Sequence, residues 1–523
     1  MPYALKTVVV ALLLTALCLA LPTANPGGDA WYYAACARWG QELWQPHHLL
    51  YNAVGWGWLH LLGSPVAAMR WLQALNALAY GGCLLALAWL LRLAGARPAA
   101  VPAWVLLVGS CFGMLRFAVE NEAYIQPLLL ALLASGCWAR ALAATGPPAI
   151  RRLVLAGLLA ALACLLHQLL AWWWLGLLGL QPWRSAAARR VVAYAAPALL
   201  VPVAYWLAAP ESGVAGTLRF ALHDYLTGGA RVELGARSLL LTPISLVRTL
   251  LQVHGNLLPL LHRWPWPLGA VAVGCLGLGV WAVLGRKTQP SPPPARAPAL
   301  AGPAAIVARV HLRIAALQLL FAALAAGNAE FMAMLPALAA VGLAGRQLRR
   351  WPARQVAALG AALLGWNIAF GLLPAHTLTY TDAGPALQRL VQQQPQAWLL
   401  LLDPNPLRNQ LHYLTGQPVA PPRVLGLAGQ DSTRFRQWLQ QRLAAGDTVY
   451  TDALAAPRPF DRARLVLGDP AARLLGGFAV RRVAALPTFF GPYYLSVLLP
   501  AARTHPAALP DSASAATNTG AAR

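Results

Sequence analysis

The feature that most limits what this chain can become is a succession of apolar runs, separated by short segments that hold most of its arginines. A bilayer's hydrocarbon core takes about 20 helical residues, and every backbone N–H and C=O inside it must be satisfied by the segment itself. Such runs therefore read as transmembrane helices. Composition agrees: 59% of the 523 residues are hydrophobic and 11% charged, with a mean hydropathy of +0.54, more apolar surface than a soluble core of this length would bury. The formal charge of +24 would point a soluble protein towards nucleic acid. Here the basic residues cluster between apolar runs, as cytoplasmic retention of Lys and Arg requires, and no nucleic-acid partner is expected. Six of the seven cysteines (Cys18, Cys83, Cys111, Cys137, Cys164, Cys275) lie inside apolar runs and none forms a CxxC, so neither a disulfide framework nor a zinc site is indicated.

Arginine positions orient the runs. Arg92 and Arg97, then Arg140, Arg151 and Arg152, then Arg184, Arg189 and Arg190, then Arg286 and Lys287, then Arg346, Arg349, Arg350 and Arg354 mark five cytoplasmic connections. Eleven spans follow, at about 5–24, 67–91, 100–116, 123–140, 153–167, 168–183, 191–209, 266–284, 310–326, 331–345 and 355–374. The first is read as a retained span rather than a cleaved signal peptide. Several spans are nearer 15 than the usual ~20 residues, which implies helices that stop inside a cavity. The piece "LLYNAVGWGWLHLLG" does not cross, because crossing would carry Arg151 and Arg152 outside. It reads as an interfacial helix with Trp56, Trp58 and His60 near the headgroups. The chain is thus expected to be a multi-pass protein of the inner (plasma) membrane with a cytoplasmic N-terminus. Its outer side receives the opening segment from Gly27 to Leu62, "RFAVENEAY", the region of His167, the loop from Pro210 to Pro265, "GNAEF" and everything after Pro374.

Three parts are expected: a helical membrane domain over 1–374, a small extracytoplasmic α/β domain over 375–500, and a disordered tail over 501–523. In the second part, "AWLLLLD", "RVLGLAG", "DTVYTD", "ARLVLG" and "YYLSVLL" read as strands, while "PLRNQLHYLTG" and "STRFRQWLQQRLAAG" read as amphipathic helices with Asn405 and Asp431 near their N-caps. No GxGxxG or P-loop is present, so nucleotide binding has no support. The cytoplasmic "TQPSPPPARAPALAGP" is a proline-rich connector. No internal repeat is visible.

The candidate functional residues gather on the outer side. Asp29 follows Gly27 and Gly28, which let the backbone run close to a ligand; the plainer reading makes it the cap of a helix beginning at Ala30. Glu120 and Glu122 flank Asn121 at the outer end of a span. A charge at the bilayer centre costs about 2.5–3.5 kcal/mol on insertion scales, so such residues face a cavity or water, or simply end the helix in solvent. His167 sits at an abrupt turn between two short spans, where a helix-end histidine bonded to a carbonyl is the alternative. Glu330 lies in a tight loop and could be only a polar turn. His47 and His48 share the opening segment with Asp29 and join Glu120, Tyr124 and Glu330 as candidate substrate-binding residues. Arg116, Arg219, Arg231, Arg237 and Arg248 place cations where charge retention does not call for them. Arg116, Arg231 and Arg237 in particular would suit an anionic ligand, and phosphate matches the guanidinium fork. Gly228 and Gly229, between basic residues, read as the hinge of a lid.

The acidic first loop, the interfacial helix followed by "LLGSPVAAMRWLQALNAL", the span-end "ENEAY" and the later "LLHQ" together resemble membrane glycosyltransferases of the GT-C fold. The nearest likeness is to bacterial relatives of the transmembrane protein O-mannosyltransferases, over about residues 1–185. The resemblance implies that Asp29 is the catalytic carboxylate, that Glu122 and Tyr124 form a Glu-x-Tyr, and that His167 is the family-like histidine. The chain departs from that pattern at Tyr32, where relatives often have a second acid, and at "PHHLLY", where they have an "HPP"-like piece.

A polyprenyl-phosphate sugar holds its head group at the outer membrane face, so a transferase there needs cations for the phosphate and one carboxylate to deprotonate an acceptor hydroxyl. One-step displacement would invert the anomeric carbon. The expected activity is therefore sugar transfer from a polyprenyl-phosphate donor to a protein, lipid or glycan acceptor. A transporter or flippase of lipid-linked sugars is the alternative reading. No cofactor is assigned; a divalent metal and its ligands are left open.

Overall fold

The computed structural model of the chain describes residues 2–179, 187–227, 232, 235–253, 257–285, 302–344, 351–380, 384–417, 423–427, 430–453 and 471–500. Arg231, the Gly228–Gly229 pair, Arg184, Arg286, Lys287, Arg346, Arg349, Arg350, most of the proline-rich connector, the strand expected at "ARLVLG" and the tail from 501 lie outside the described residues.

The protein is a multi-pass membrane protein. Among the described residues, eight helices are long and apolar enough to cross: Tyr3–Ala20, Pro65–Leu93, Ile125–Leu142, Gly146–Leu166, Ala188–Ala208, Pro265–Leu284, Pro303–Leu324 and Ala353–Thr377. The pair Pro98–Gly109 and Phe112–Val119, bent by 66°, makes a ninth, and two shorter apolar helices, Gln168–Leu178 and Glu330–Leu343, complete the eleven runs seen in the sequence. Among these elements we label α1 (Tyr3–Ala20), α2 (Gly28–Trp39), α3 (Tyr51–Leu62), α4 (Ala68–Leu93), α5 (Val101–Gly109), α6 (Phe112–Val119), α7 (Ile125–Leu142) and α8 (Gly146–Leu166). At 12 residues, α3 is too short to span.

The chain forms two compact units. The first contains residues up to Gln388 together with Asn405–Pro421 and Thr488–Gly491. Within it α7 packs against both α4 and α8, and Trp138, Trp173, Tyr80, Leu84 and Leu90 fill a continuous apolar core. The bend between α5 and α6 interrupts the helical ladder, and in an apolar surrounding the freed backbone groups must find partners. Tyr80 donates to the Gly109 carbonyl at 2.8 Å. Asn367 donates to the carbonyls of Ser110 at 2.7 Å and Leu250 at 2.9 Å, while its own carbonyl oxygen accepts from the Gln252 N–H at 2.8 Å.

The second unit comprises 389–404, 422–487 and 492 onward, as far as these are described. Its five-stranded sheet uses β1 (Trp398–Leu401), β2 (Val424–Gly426), β3 (Val449–Thr451), β4 (Ala479–Leu486) and β5 (Tyr493–Leu499) in the order β2-β1-β3-β5-β4. β1 is parallel to β2 and β3, and β5 is antiparallel to β3 and β4. The helix Ser432–Ala444 begins as expected, with the Asp431 carboxylate accepting from the Arg434 N–H at 2.8 Å. It buries Phe435, Leu439 and Leu443 with Leu400, Val449 and Leu498.

Candidate active site

The site is built on the five residues between α6 and α7. Asn76, buried on α4, donates to the carbonyls of both Glu120 and Glu122 at 2.8 Å, and Gln126 in turn donates to the Asn76 side-chain oxygen at 3.0 Å. The amide thus gives the Glu120 carbonyl its partner, adds a second bond to the Glu122 carbonyl, which also accepts from the Tyr124 N–H at 3.0 Å, and fixes the turn. Asn121 ties that turn to the opening segment: it donates to the Ala30 carbonyl at 2.9 Å and accepts from the Tyr51 hydroxyl at 2.9 Å.

Both glutamates lie beneath the start of α2. One oxygen of Glu120 accepts from the Gly27 N–H at 2.9 Å, supplying a partner and a negative charge where a helix start needs both. The other faces Arg116 at 3.3 Å, and Arg116 also reaches Glu330 at 3.3 Å. The Tyr124 hydroxyl donates to the second oxygen of Glu330 at 3.3 Å. Glu330 is therefore an ion-pair partner rather than a simple polar turn. Glu122 is buried, and burial first, then the charges of Glu120, Glu330 and Asp29, push its carboxyl well above the ordinary value; Arg116 opposes them.

Asp29 is exposed in the first turn of α2. The helix is capped by Gly27 and begins at Gly28, so the cap reading of Asp29, with a helix beginning at Ala30, does not hold. Its charge is felt by Glu122, Tyr33, Tyr124 and His47.

Three imidazoles complete the group. The rings of His47 and His48 are 4.3 Å apart, those of His48 and His167 also 4.3 Å, and Tyr124 lies 5.0 Å from His167. Burial, aided by His47, brings the pKa of His167 down to about 3, and burial lowers that of His48 as well. Both are neutral at physiological pH. Nδ1 of His167 accepts from the Leu169 N–H at 3.2 Å, which puts the ring proton on Nε2. That buried Nε2 and the buried Nδ1 of His48 have no hydrogen-bond partner among the described residues, a state that costs on the order of 1–3 kcal/mol per group. His47 Nδ1 meets Asp224 at 2.9 Å.

The structure thus brings together Asp29, Glu120, Glu122, Tyr124, Arg116, Glu330, His47, His48 and His167. Arg237 is exposed on the helix Ala236–Leu250, and Arg219 pairs with Glu211 at 3.0 Å. Sequence reasoning missed Asn76, although a side-chain amide inside an apolar run is itself a signal of buried polar work. Among the described residues no three His, Cys, Asp or Glu side chains are placed to hold a metal ion. Tyr32 donates to Glu42 at 2.6 Å.

Among solved structures the chain is similar to the Archaeoglobus fulgidus oligosaccharyltransferase in its apo form, with a TM-score of 0.52 at 12% identity over 94% of this chain and 74% of that one. The chain has a GT-C fold. Two further GT-C structures align over a similar extent. ArnT from Cupriavidus metallidurans bound to undecaprenyl phosphate gives 15% identity, 94% and 97% coverage and a TM-score of 0.49. Archaeal AglB from Archaeoglobus fulgidus, in complex with an inhibitory peptide and a dolichol-phosphate, gives 12%, 94%, 74% and 0.47. No family model and no curated protein matches the chain.

Proposed function

We propose that this GT-C protein is a membrane glycosyltransferase that moves a sugar from a polyprenyl-phosphate donor to a hydroxyl of a protein, lipid or glycan, on the outer face of the inner membrane and with inversion. The observation that carries this reading is the convergence of an exposed carboxylate, Asp29, with buried acids and two neutral imidazoles at one set of helix ends. The fold, shared with an oligosaccharyltransferase, supports it.

In this reading Asp29 accepts the proton of the acceptor hydroxyl as its oxygen bonds to the anomeric carbon. The bond from that carbon to the phosphate oxygen breaks, its electron pair stays on the oxygen, and polyprenyl phosphate departs as an anion. No second acid is needed to protonate it, unlike an alkoxide leaving group. Glu122, held towards its protonated state, limits the negative charge beneath Asp29. Nε2–H of His167 is a donor available to a substrate oxygen, and Arg237 and Arg231 are the cations proposed for the phosphate, because Arg116 is already committed to two carboxylates. A transporter would place titratable residues with unmet hydrogen bonds along its spans. The buried His311 there is bonded at both nitrogens, to Val307 O at 2.8 Å and Ser135 Oγ at 3.0 Å.

Purified Asp29→Asn and parent protein, given a panel of undecaprenyl-phosphate hexoses and pentoses, are compared by release of undecaprenyl phosphate. The variant should lose about 10²–10⁴-fold in rate while its stability changes by no more than about 1 kcal/mol, the worth of a first-turn charge. Near-parent turnover by the variant, or no turnover of any donor by the parent, overturns the reading.

A further inference from the structure

The helix Asn405–Thr415, which falls between β1 and β2 in sequence, belongs to the first unit and lies along α2. Its contacts run in the same order on both helices, so the two are parallel with their starts together. At the start, the Asn409 side-chain amide donates to the Gly28 carbonyl at 2.9 Å. A Cβ at Gly28 would lie at ordinary van der Waals distance, 3.8 Å, from the Pro406 backbone nitrogen, so the two helix starts come within a methyl group of touching. Further along, the Tyr413 ring lies 5.2 Å from Trp31 and beneath the Arg38 guanidinium, and the Tyr413 carbonyl accepts from Trp39 Nε1 at 3.1 Å. The Tyr413 hydroxyl donates to the Val66 carbonyl at 3.2 Å.

The two residues before Asp29 are thus gripped from different parts of the chain. Gly27 is held through its N–H by Glu120, and Gly28 through its carbonyl by Asn409. Asp29 follows directly on these two residues in the first turn of α2, so the path of that backbone sets where its side chain starts. An ångström of misplacement is enough to cost a proton-transfer step about 10²-fold.

We propose that Asn409 is a positioning residue for Asp29, so that the helix Asn405–Thr415 is a working part of the transferase. The assignment rests on Asp29 being the base. The experiment uses the full-length protein and the same donor panel. Asn409→Leu removes the donor at similar volume and should lower kcat about 10–100-fold with donor KM within about twofold. Asn409→Gln, which keeps an amide donor, should recover most of that loss. Trp39→Phe removes a bond at the far end of the same helix pair and should leave kcat unchanged even where it lowers stability.

A second readout needs no substrate: the rate at which a water-soluble carbodiimide modifies Asp29, mapped by peptide mass spectrometry. It should change at least about threefold in Asn409→Leu and not in Trp39→Phe. Parent kcat and parent labelling in Asn409→Leu overturn the proposal, as do equal losses in Asn409→Leu and Trp39→Phe. Asp29→Asn runs alongside: an active Asp29→Asn protein defeats the base reading, whereas an inactive one beside an active Asn409→Leu defeats only the positioning.

Discussion

Glu122 sits among three other carboxylates with one guanidinium to balance them, and its raised proton affinity has a consequence for stability. A carboxyl whose folded-state pKa lies above its ordinary value, near 4.5, contributes fully to stability below that value and loses the contribution as pH rises through the folded one. Glu122→Gln should therefore melt similarly to the parent below about pH 4.5 and progressively higher than the parent as pH rises from there. Thermal melts between pH 4 and 9 decide this, and a variant that melts lower throughout refutes it. Residues of this kind were legible in the sequence because an ionisable group beside an apolar run is rare and has to be explained. Asp29, Glu122 and His167 stood out in that way. Asn76 and Asn409 did not: an amide inside an apolar run marks Asn76 as buried, but the local sequence of neither residue names its partner, a backbone carbonyl 44 or 381 residues away.

At the scale of elements, helix contact is set where a side chain is missing. A Cβ on Gly157 of α8 would fall well inside van der Waals contact with the Tyr194 carbonyl oxygen of the helix Ala187–Ala195. Backbone cannot swing aside as a side chain can, so Gly157→Ala should destabilise the protein by about 1–3 kcal/mol or more, read as a lower melting temperature in detergent. An unchanged melting temperature would show that the two helices are not held at this distance. The positions of the spans could be read from apolar length alone; the break between α5 and α6 falls at Gly109–Ser110, a Gly/Ser pair of the kind that kinks helices and that apolar length does not register, and the donors to its freed carbonyls come from Tyr80 and Asn367. β4 was missed for the opposite reason. It is an edge strand largely exposed to solvent, with Arg481 and Arg482 interrupting any alternation, and edge strands are often charged in this way.

For the whole molecule, the arginine clusters propose a cytoplasmic N-terminus and an outer location for the residues after Pro374. Fusions of a reporter active only outside the cytoplasm should be silent after Arg350 and active after Ala420, and the reverse at either position overturns the orientation. The pairing of α2 with the helix Asn405–Thr415 adds a constraint in time. Asn409 follows Gly28 by 381 residues, and a ribosome adding about 5–20 residues per second needs about 20–75 s to cover that interval. Throughout it, the opening segment has left the ribosome without the partner that grips Gly28. Chains cut short between Glu330 and Asn405 would carry every acid and histidine of the site and still lack its second handhold, so the protein's own synthesis keeps the centre unfinished until most of the chain has been made.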